Sequence, residues 1–272
     1  MNRELCEKNR EAWNEATAYH RKARKEFLHE GFKNPNFNTF DRSGDDVLIE
    51  KLNQIGLTGK VVAQLPCNNG RELLSLIGLG AQKGFGFDIS DAAIAEANEL
   101  KAISNLNAEF YRTNIFDIDD SFNDSIDFIY ISEGSLQWYA SLYDYFKIVT
   151  KLLKPNGKLL IYEIHPFAYY FEHQTDRDKA ITLDDFISYF EKGPFTYKKG
   201  LDYIGQTDYD AKDCCWYMHK FSDILNAILQ NCLHIENIEE YATEMAGNEI
   251  VINTDKFPLS YMISCQKKSP RK

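Results

Sequence analysis

Val61-Val62-Ala63-Gln64-Leu65-Pro66-Cys67-Asn68-Asn69-Gly70-Arg71-Glu72 is the stretch whose reading decides the fold. Its apolar start reads as a buried strand, and the residues from Pro66 to Gly70 form turns readily. Leu73, Leu74 and Ile77 then recur at helical spacing. Strand, tight turn and helix in that order aim backbone N–H groups at an anionic ligand. For such a loop the turn is poor in glycine, with Gly70 alone between positions 61 and 72.

Outward from this stretch, strand and helix patterns alternate. Strands are predicted at 60–65, 84–88, 108–112, 126–131 and 157–163, with helices over 70–79, 91–104 and 141–153. Ser141 and Asp144 resemble a capping box, Lys151 and Lys154 complement the far end of that helix dipole, and Lys154-Pro155-Asn156-Gly157 supplies a stop and a turn. Such alternation predicts an α/β fold, a doubly wound Rossmann-like sheet that is mostly parallel, with helices on both faces. Helical spacing returns at Phe221, Ile224, Leu225, Ile228 and Leu229, and strands are expected near 234–241 and 258–266.

Ahead of this alternation, Leu5, Ala12, Trp13, Ala16, Tyr19, Ala23 and Phe27 form the stripe of a long helix, broken by Gly31, Asn34, Pro35 and Asn36. A second helix is expected over 45–54. Residues 1–59 thus read as an N-terminal helical segment and 60–272 as the main domain. Within the latter, 166–215 is rich in Tyr and Phe without a sustained period and reads as a loop-rich insertion folded over the sheet.

Composition narrows the function. The 272 residues carry a formal net charge of −10, which argues against a long nucleic-acid footprint, and 44% are hydrophobic, which suits a sizeable core. The basic run His20-Arg21-Lys22-Ala23-Arg24-Lys25 reads as a solvated helix face. With no apolar run of about 18 residues, no membrane span is expected, and the acidic, polar start does not resemble a secretory signal. Six scattered cysteines fit a reduced, cytoplasmic setting. Cys214, Cys215 and His219 do not match a zinc spacing, so no metal is expected. No heptads or interface stripe indicate an oligomeric state.

In a doubly wound sheet, ligands bind beyond the carboxyl ends of the strands. That rule selects the 64–70 turn, Asp88, Asn114, the 132–137 segment and the 163–166 segment. Gly70 permits close backbone approach, or simply closes an ordinary turn. Asp88 can accept hydrogen bonds from two ribose hydroxyls; its alternative role, capping the next helix, is already served by Ser90 and Asp91. Together the loop and the acid point to a nucleoside cofactor. Asn114 and Ile115 can flank a base, or Asn114 can be a turn residue. Near Ser132 and Glu133, the rings of Trp138 and Tyr139 favour a cation, or equally fill the core. His165 can act as a base near neutral pH, and a satisfied structural histidine is an equal reading.

Taken together, Val61 to Gly70, Gly86-Phe87-Asp88-Ile89-Ser90, Thr113-Asn114-Ile115-Phe116-Asp117, Asp127 to Trp138 and Leu152-Leu153-Lys154-Pro155-Asn156-Gly157-Lys158 resemble a class I S-adenosylmethionine-dependent methyltransferase. Trp13, Tyr19, His20, Glu163-x-His165-Pro166, Trp216 with His219, and Pro258-Leu259-Ser260-Tyr261 are similar to a bacterial small-molecule-type subgroup. The resemblance implies a seven-stranded sheet whose last strand, 258–266, is antiparallel. It implies that Gln64, Pro66, Cys67, Asn68 and Gly70 cradle the methionine part of S-adenosylmethionine. Asp88 with Ile89 would meet the ribose, Asn114 with Ile115 the adenine, and Ser132 with Glu133 the sulfonium. The N-terminal helix would be a lid, with Tyr19 contacting the cofactor.

The chain departs from the superfamily pattern, which prefers an acid at Gln64 and glycines at Pro66 and Asn68. Gln64 keeps an acceptor oxygen but loses a charge-assisted contact, Pro66 lacks an N–H, and Asn68 tolerates a left-handed backbone. The expected activity is methyl transfer to a small-molecule acceptor, with no nucleic acid and no membrane as partner. His165 is the first candidate base and Glu133 the second. Tyr169, Tyr170, Phe171, Phe195, Tyr197 and Trp216 would enclose the site. The alternatives are an RNA or protein methyltransferase, which the acidity disfavours for RNA, and a non-catalytic S-adenosylmethionine-binding protein.

Overall fold

A computed structural model describes residues 3–40, 46–170, 188–205, 207–243 and 256–269. Phe171, one of the expected enclosing aromatics, lies outside the described residues, as does the side chain of Tyr170.

Two helices, α1 (Arg3–Gly31) and α2 (Asp46–Ile55), lead into β1 (Val61–Gln64), α3 (Arg71–Gly78), β2 (Lys83–Asp88), α4 (Asp91–Ser104) and β3 (Ala108–Arg112). β4 (Ile126–Ile131), α5 (Leu142–Leu152) and β5 (Leu153–Ile164) follow. After a short antiparallel pair, β6 (Phe195–Tyr197) with β7 (Cys214–Trp216), the chain closes with α6 (Phe221–Gln230), β8 (Leu233–Tyr241) and β9 (Ser260–Lys267).

Seven strands form the main sheet in the order β3-β2-β1-β4-β5-β9-β8. β1 to β5 pair in parallel, while β9 runs antiparallel to both of its neighbours. This is the predicted sheet, last strand included. Period-two alternation then divides the core into two layers. Val62, Phe128, Tyr130, Leu160 and Tyr162 pack with Leu28 of α1, Leu48 and Leu52 of α2 and the α3 leucines. Ala63, Ile129, Ile131 and Ile161 turn the other way, onto Tyr145, Phe146 and Val149 of α5 and Ile224 and Ile228 of α6.

β5 begins at Leu153 rather than at 157. Leu153 pairs with Ile126, and the chain then bulges around Asn156, at φ 63°, before Lys158 pairs with Phe128. The predicted turn is therefore a bulge inside a strand. It also fastens the sheet, because Lys154 donates to Asp127 Oδ1 at 2.8 Å while Asp127 Oδ2 accepts from the Val61 N–H at 2.9 Å.

The basic run on α1 is not wholly solvated, contrary to expectation. His20 and Arg24 are buried, because a four-residue spacing continues the inward stripe from Ala12 and Ala16 to Leu28. Arg21 and Lys25 point outward, and Arg21 pairs with Glu99 at 2.5 Å. Farther along, Asn14 Oδ1 accepts from Ser90 Oγ at 2.7 Å and from the Ala92 N–H at 3.1 Å, which docks α1 on the start of α4. Asn9 exchanges two hydrogen bonds with the Cys215 backbone, tying α1 to β7 as well. No helix of the described residues is long and apolar enough to cross a membrane.

Candidate cofactor and acceptor site

The strand order reverses between β1 and β4, and a cavity of about 980 Å³ opens beyond their carboxyl ends. Its floor is the predicted loop. Pro66, Cys67 and Asn68 line it, and Gly70 starts α3 at φ 73°. A Cβ on Gly70 would sit 2.5 Å from the Phe110 ring and 2.9 Å from Ala97, so the glycine answers both to its backbone angle and to its neighbours. Asn68 takes the left-handed conformation at φ 48° and so occupies a glycine-like position.

Asp88 ends β2 at the cavity wall. Its Oδ2 accepts from the Asn68 N–H and its Oδ1 from the Ser90 N–H, each at 2.8 Å. Burial pushes its pKa up to about 6, against those hydrogen bonds and one from Ile89, which favour the ionised form. Ile89 is also at the wall. Asn114 and Ile115 follow β3 and line the same cavity. Asn114 Oδ1 accepts from the Phe116 N–H at 3.1 Å and holds the turn in place.

Ser132 and Glu133 follow β4 and complete this wall. Their segment is anchored from behind by Glu163. One of its carboxylate oxygens accepts from Ser135 and Leu136, the other from Gly134 and Ile164, at 2.6 to 2.9 Å. Burial raises Glu163 to about 7 even so.

Four predicted residues do not line the cavity: Gly70, which starts α3 behind the loop, and Gln64, Tyr19 and His165. Gln64 lies beneath the wall, 1% exposed, with Nε2 donating to Glu72 and, at 3.2 Å, to Ser132 Oγ. Tyr19 stacks on Tyr209 at 4.2 Å and does not line the cavity. His165, the first candidate base, is turned away from the cavity. Its Nε2 lies 3.1 Å from Glu240, its Nδ1 accepts from the Phe167 N–H at 3.2 Å, and burial lowers its pKa to about 4. His165 thus takes the other role weighed for it, a structural histidine just past the end of β5 with a partner at each nitrogen.

Residues 58–244 match the family described as Methyltransferase domain. The chain belongs to this family. Among solved structures of the same fold is a Listeria monocytogenes protein described as an S-adenosylmethionine-dependent methyltransferase, 22% identical with a TM-score of 0.61 over 81% of this chain and 97% of that one. An S-adenosylmethionine-dependent methyltransferase from Mesorhizobium loti is 18% identical, with a TM-score of 0.57 over 80% and 96%. Geranyl diphosphate C-methyltransferase from Streptomyces coelicolor A3(2) is 14% identical, with a TM-score of 0.53 over 82% and 79%. No curated protein matches the chain.

The methyltransferase cavity has further walls that strand-end reasoning did not select. Cys6, Asn9, Trp13 and Arg24 come from α1, and Arg71 and Glu72 from the start of α3. Arg24 was detectable as a cation continuing the Trp13–His20 stripe. Arg71 and Glu72 were detectable as the first residues after Gly70. Burial disfavours the Arg71 cation, yet Glu72, Tyr203 and Glu133 outweigh it and hold its pKa above the ordinary value. Arg24 is shifted down, by burial and then by Arg71. Opposite lie Tyr197, Tyr203 and Trp216, with Trp13 edge-on to Trp138 at 5.4 Å. Of the other expected enclosing rings, Phe195 and Tyr169 pack on Trp216 at 4.8 and 5.6 Å. Among the described residues no group of three or more His, Cys, Asp or Glu could hold a metal ion.

Proposed function

We propose that this chain transfers a methyl group from S-adenosylmethionine to a small-molecule acceptor. The observation that carries the reading is a single cavity onto which Asp88, the Asn114–Ile115 turn and the Pro66–Asn68 loop all open. These residues fit the cofactor. Asp88 accepts from the backbone N–H groups of Asn68, Ser90 and Ile89, and the remaining acceptor capacity of the carboxylate is free for a ribose hydroxyl. Ile115 offers an apolar surface to a base, and Asn114 an amide at its edge.

The cofactor supplies an activated methyl on a sulfonium, and the protein's part is alignment and exclusion of water. Support for a small acceptor comes from the remaining walls. Helix α1 and the 197–216 segment cover the strand ends with Trp13, Tyr197, Tyr203 and Trp216. A volume near the upper end of the roughly 300–1,000 Å³ usual for one ligand gives space for two small partners. The Streptomyces neighbour acts on geranyl diphosphate, a small molecule, with the same fold. In this reading Glu133, at the wall, is the candidate to accept a proton from the acceptor.

Titration calorimetry with S-adenosylhomocysteine tests the reading. Wild-type protein is expected to bind and Asp88→Ala to bind far more weakly. No binding by wild type, or equal binding by both, would overturn it.

A further inference from the structure

Two buried polar groups have incomplete partners, Arg24 at the cavity wall and Gln64 beneath it. Arg24 is 92% buried by its side chain's 8% exposure, and its Nε has no hydrogen-bond partner. Its Nη2 lies 3.6 Å from Glu96 and 3.5 Å from Asn68 Oδ1, the latter at the limit of a hydrogen bond. Gln64 Nε2 donates to Glu72 and Ser132 while its Oε1 accepts nothing. A carboxylate can only accept, so the Glu72 contact orients the Gln64 amide. Gln64 does not reach the cavity, and Glu72 does.

Arg71 stands beside Glu72, with Nη2 3.4 Å from Glu72 Oε1, and also opens on the cavity. Two guanidinium groups that repel one another, next to a carboxylate held by an amide, form a charge pattern of opposite ends. A free α-amino acid group, with its ammonium and carboxylate one carbon apart, complements that pattern. Arg24, with its Nε unpartnered and only long contacts to Glu96 and Asn68, gains from an anion arriving in the cavity, and Arg71 on the same wall adds to the attraction.

We propose that the amino-acid end of the bound nucleoside cofactor is read by Glu72, Arg24 and Arg71. Glu72 takes the ammonium and the two arginines take the carboxylate, while Gln64 positions Glu72. The assignment rests on the S-adenosylmethionine reading above and deepens it. The acid that takes the ammonium then stands in the first turn of α3, held by the amide at position 64.

The test compares S-adenosylhomocysteine with 5′-methylthioadenosine, which shares its adenosine and thioether but lacks the amino-acid group. Calorimetry is run on full-length wild type, Arg24→Gln, Arg71→Gln, Glu72→Gln and the double variant Gln64→Glu/Glu72→Gln. Wild type is expected to prefer S-adenosylhomocysteine by about a hundredfold, and each single variant to lose about tenfold for it. Affinity for 5′-methylthioadenosine should stay within about twofold of wild type.

The double variant keeps an amide–carboxylate pair but moves the acid back beneath the wall. It should fold normally and remain weak for S-adenosylhomocysteine; recovered affinity would put the ammonium at position 64 and overturn the assignment. Equal wild-type affinity for both ligands, or variants that weaken both alike, would also overturn it. Should Arg24→Gln fail to fold, Arg24→Lys keeps the charge and is expected to retain most of the preference. Wild type that binds neither ligand would instead sink the underlying cofactor reading.

Discussion

Asp88 Oδ2 accepts the backbone N–H of Asn68 at 2.8 Å, so the acid ending β2 and the loop ending β1 form one unit. Removing the carboxylate would therefore take away the proposed ribose contact and also free the loop whose left-handed Asn68 it holds. Asp88→Ala is expected to weaken S-adenosylhomocysteine by about a hundredfold or more, beyond the roughly tenfold loss of one charge-assisted hydrogen bond. Calorimetry gives the affinity, and amide exchange at residues 67–69 should rise in the same variant.

The same carboxylate sets a pH dependence. Its pKa in the free protein is about 6, raised by burial, and ribose hydroxyls donate only to the ionised form with full strength. The ligand-bound state thus releases a proton that the free state holds. Affinity should fall about tenfold for each pH unit below about 6 and level off above it. Binding measured across that range in wild type and in Asp88→Asn checks the sign: the variant, which cannot titrate there, should show a flat profile. A slope of the opposite sign in wild type would exclude Asp88 as the group concerned.

Gly70 answers to two constraints at once, φ 73° and a Phe110 ring 2.5 Å from where a Cβ would stand. Gly70→Ala is expected to destabilise the protein by about 2–4 kcal/mol, adding a left-handed backbone to an overpacked contact. For a chain of this size that corresponds to a Tm lower by roughly 5–15 °C. Calorimetric unfolding of the two proteins measures it. A Phe110→Ala background, which removes the ring, should recover only the packing part relative to its own parent.

What was legible beforehand follows from how local each signal is. The strands and the Asp88, Asn114 and Ser132 positions could be read because period and order along the chain specify which residues end a parallel strand. The positive φ at Asn68 was readable from the resemblance, which puts glycine there, together with asparagine's tolerance of a left-handed backbone. The burial of His20 and Arg24 was not, because basic residues become tolerable inside only through Asp202, Leu201 and Glu96, contributed by distant segments. The direction of His165 was hidden for the same reason. Its neighbours Glu240 and Leu259 belong to the β8 and β9 end of the sheet, and only the β5–β9 pairing brings them together. Gln64 and Glu72 were each in view, but their contact spans strand, turn and helix.

Two neighbours at the end of β5 should separate in their effects. Glu163 accepts four backbone N–H groups and holds the wall that carries Ser132 and Glu133, whereas His165, two residues on, faces Glu240 and Phe167. In Glu163→Gln one of the two acceptor atoms becomes an NH2, which leaves two backbone donors unpaired and facing another donor. The expected cost is about 3 kcal/mol in stability, with faster amide exchange at 134–136 and weaker S-adenosylhomocysteine binding. His165→Gln also disturbs a buried site and should lower Tm, yet leave that affinity within about threefold of wild type, since it makes no wall of the cavity. Thermal unfolding and calorimetry on both variants decide the matter. A large loss of affinity in His165→Gln without a loss of stability would bring that histidine back as part of the site.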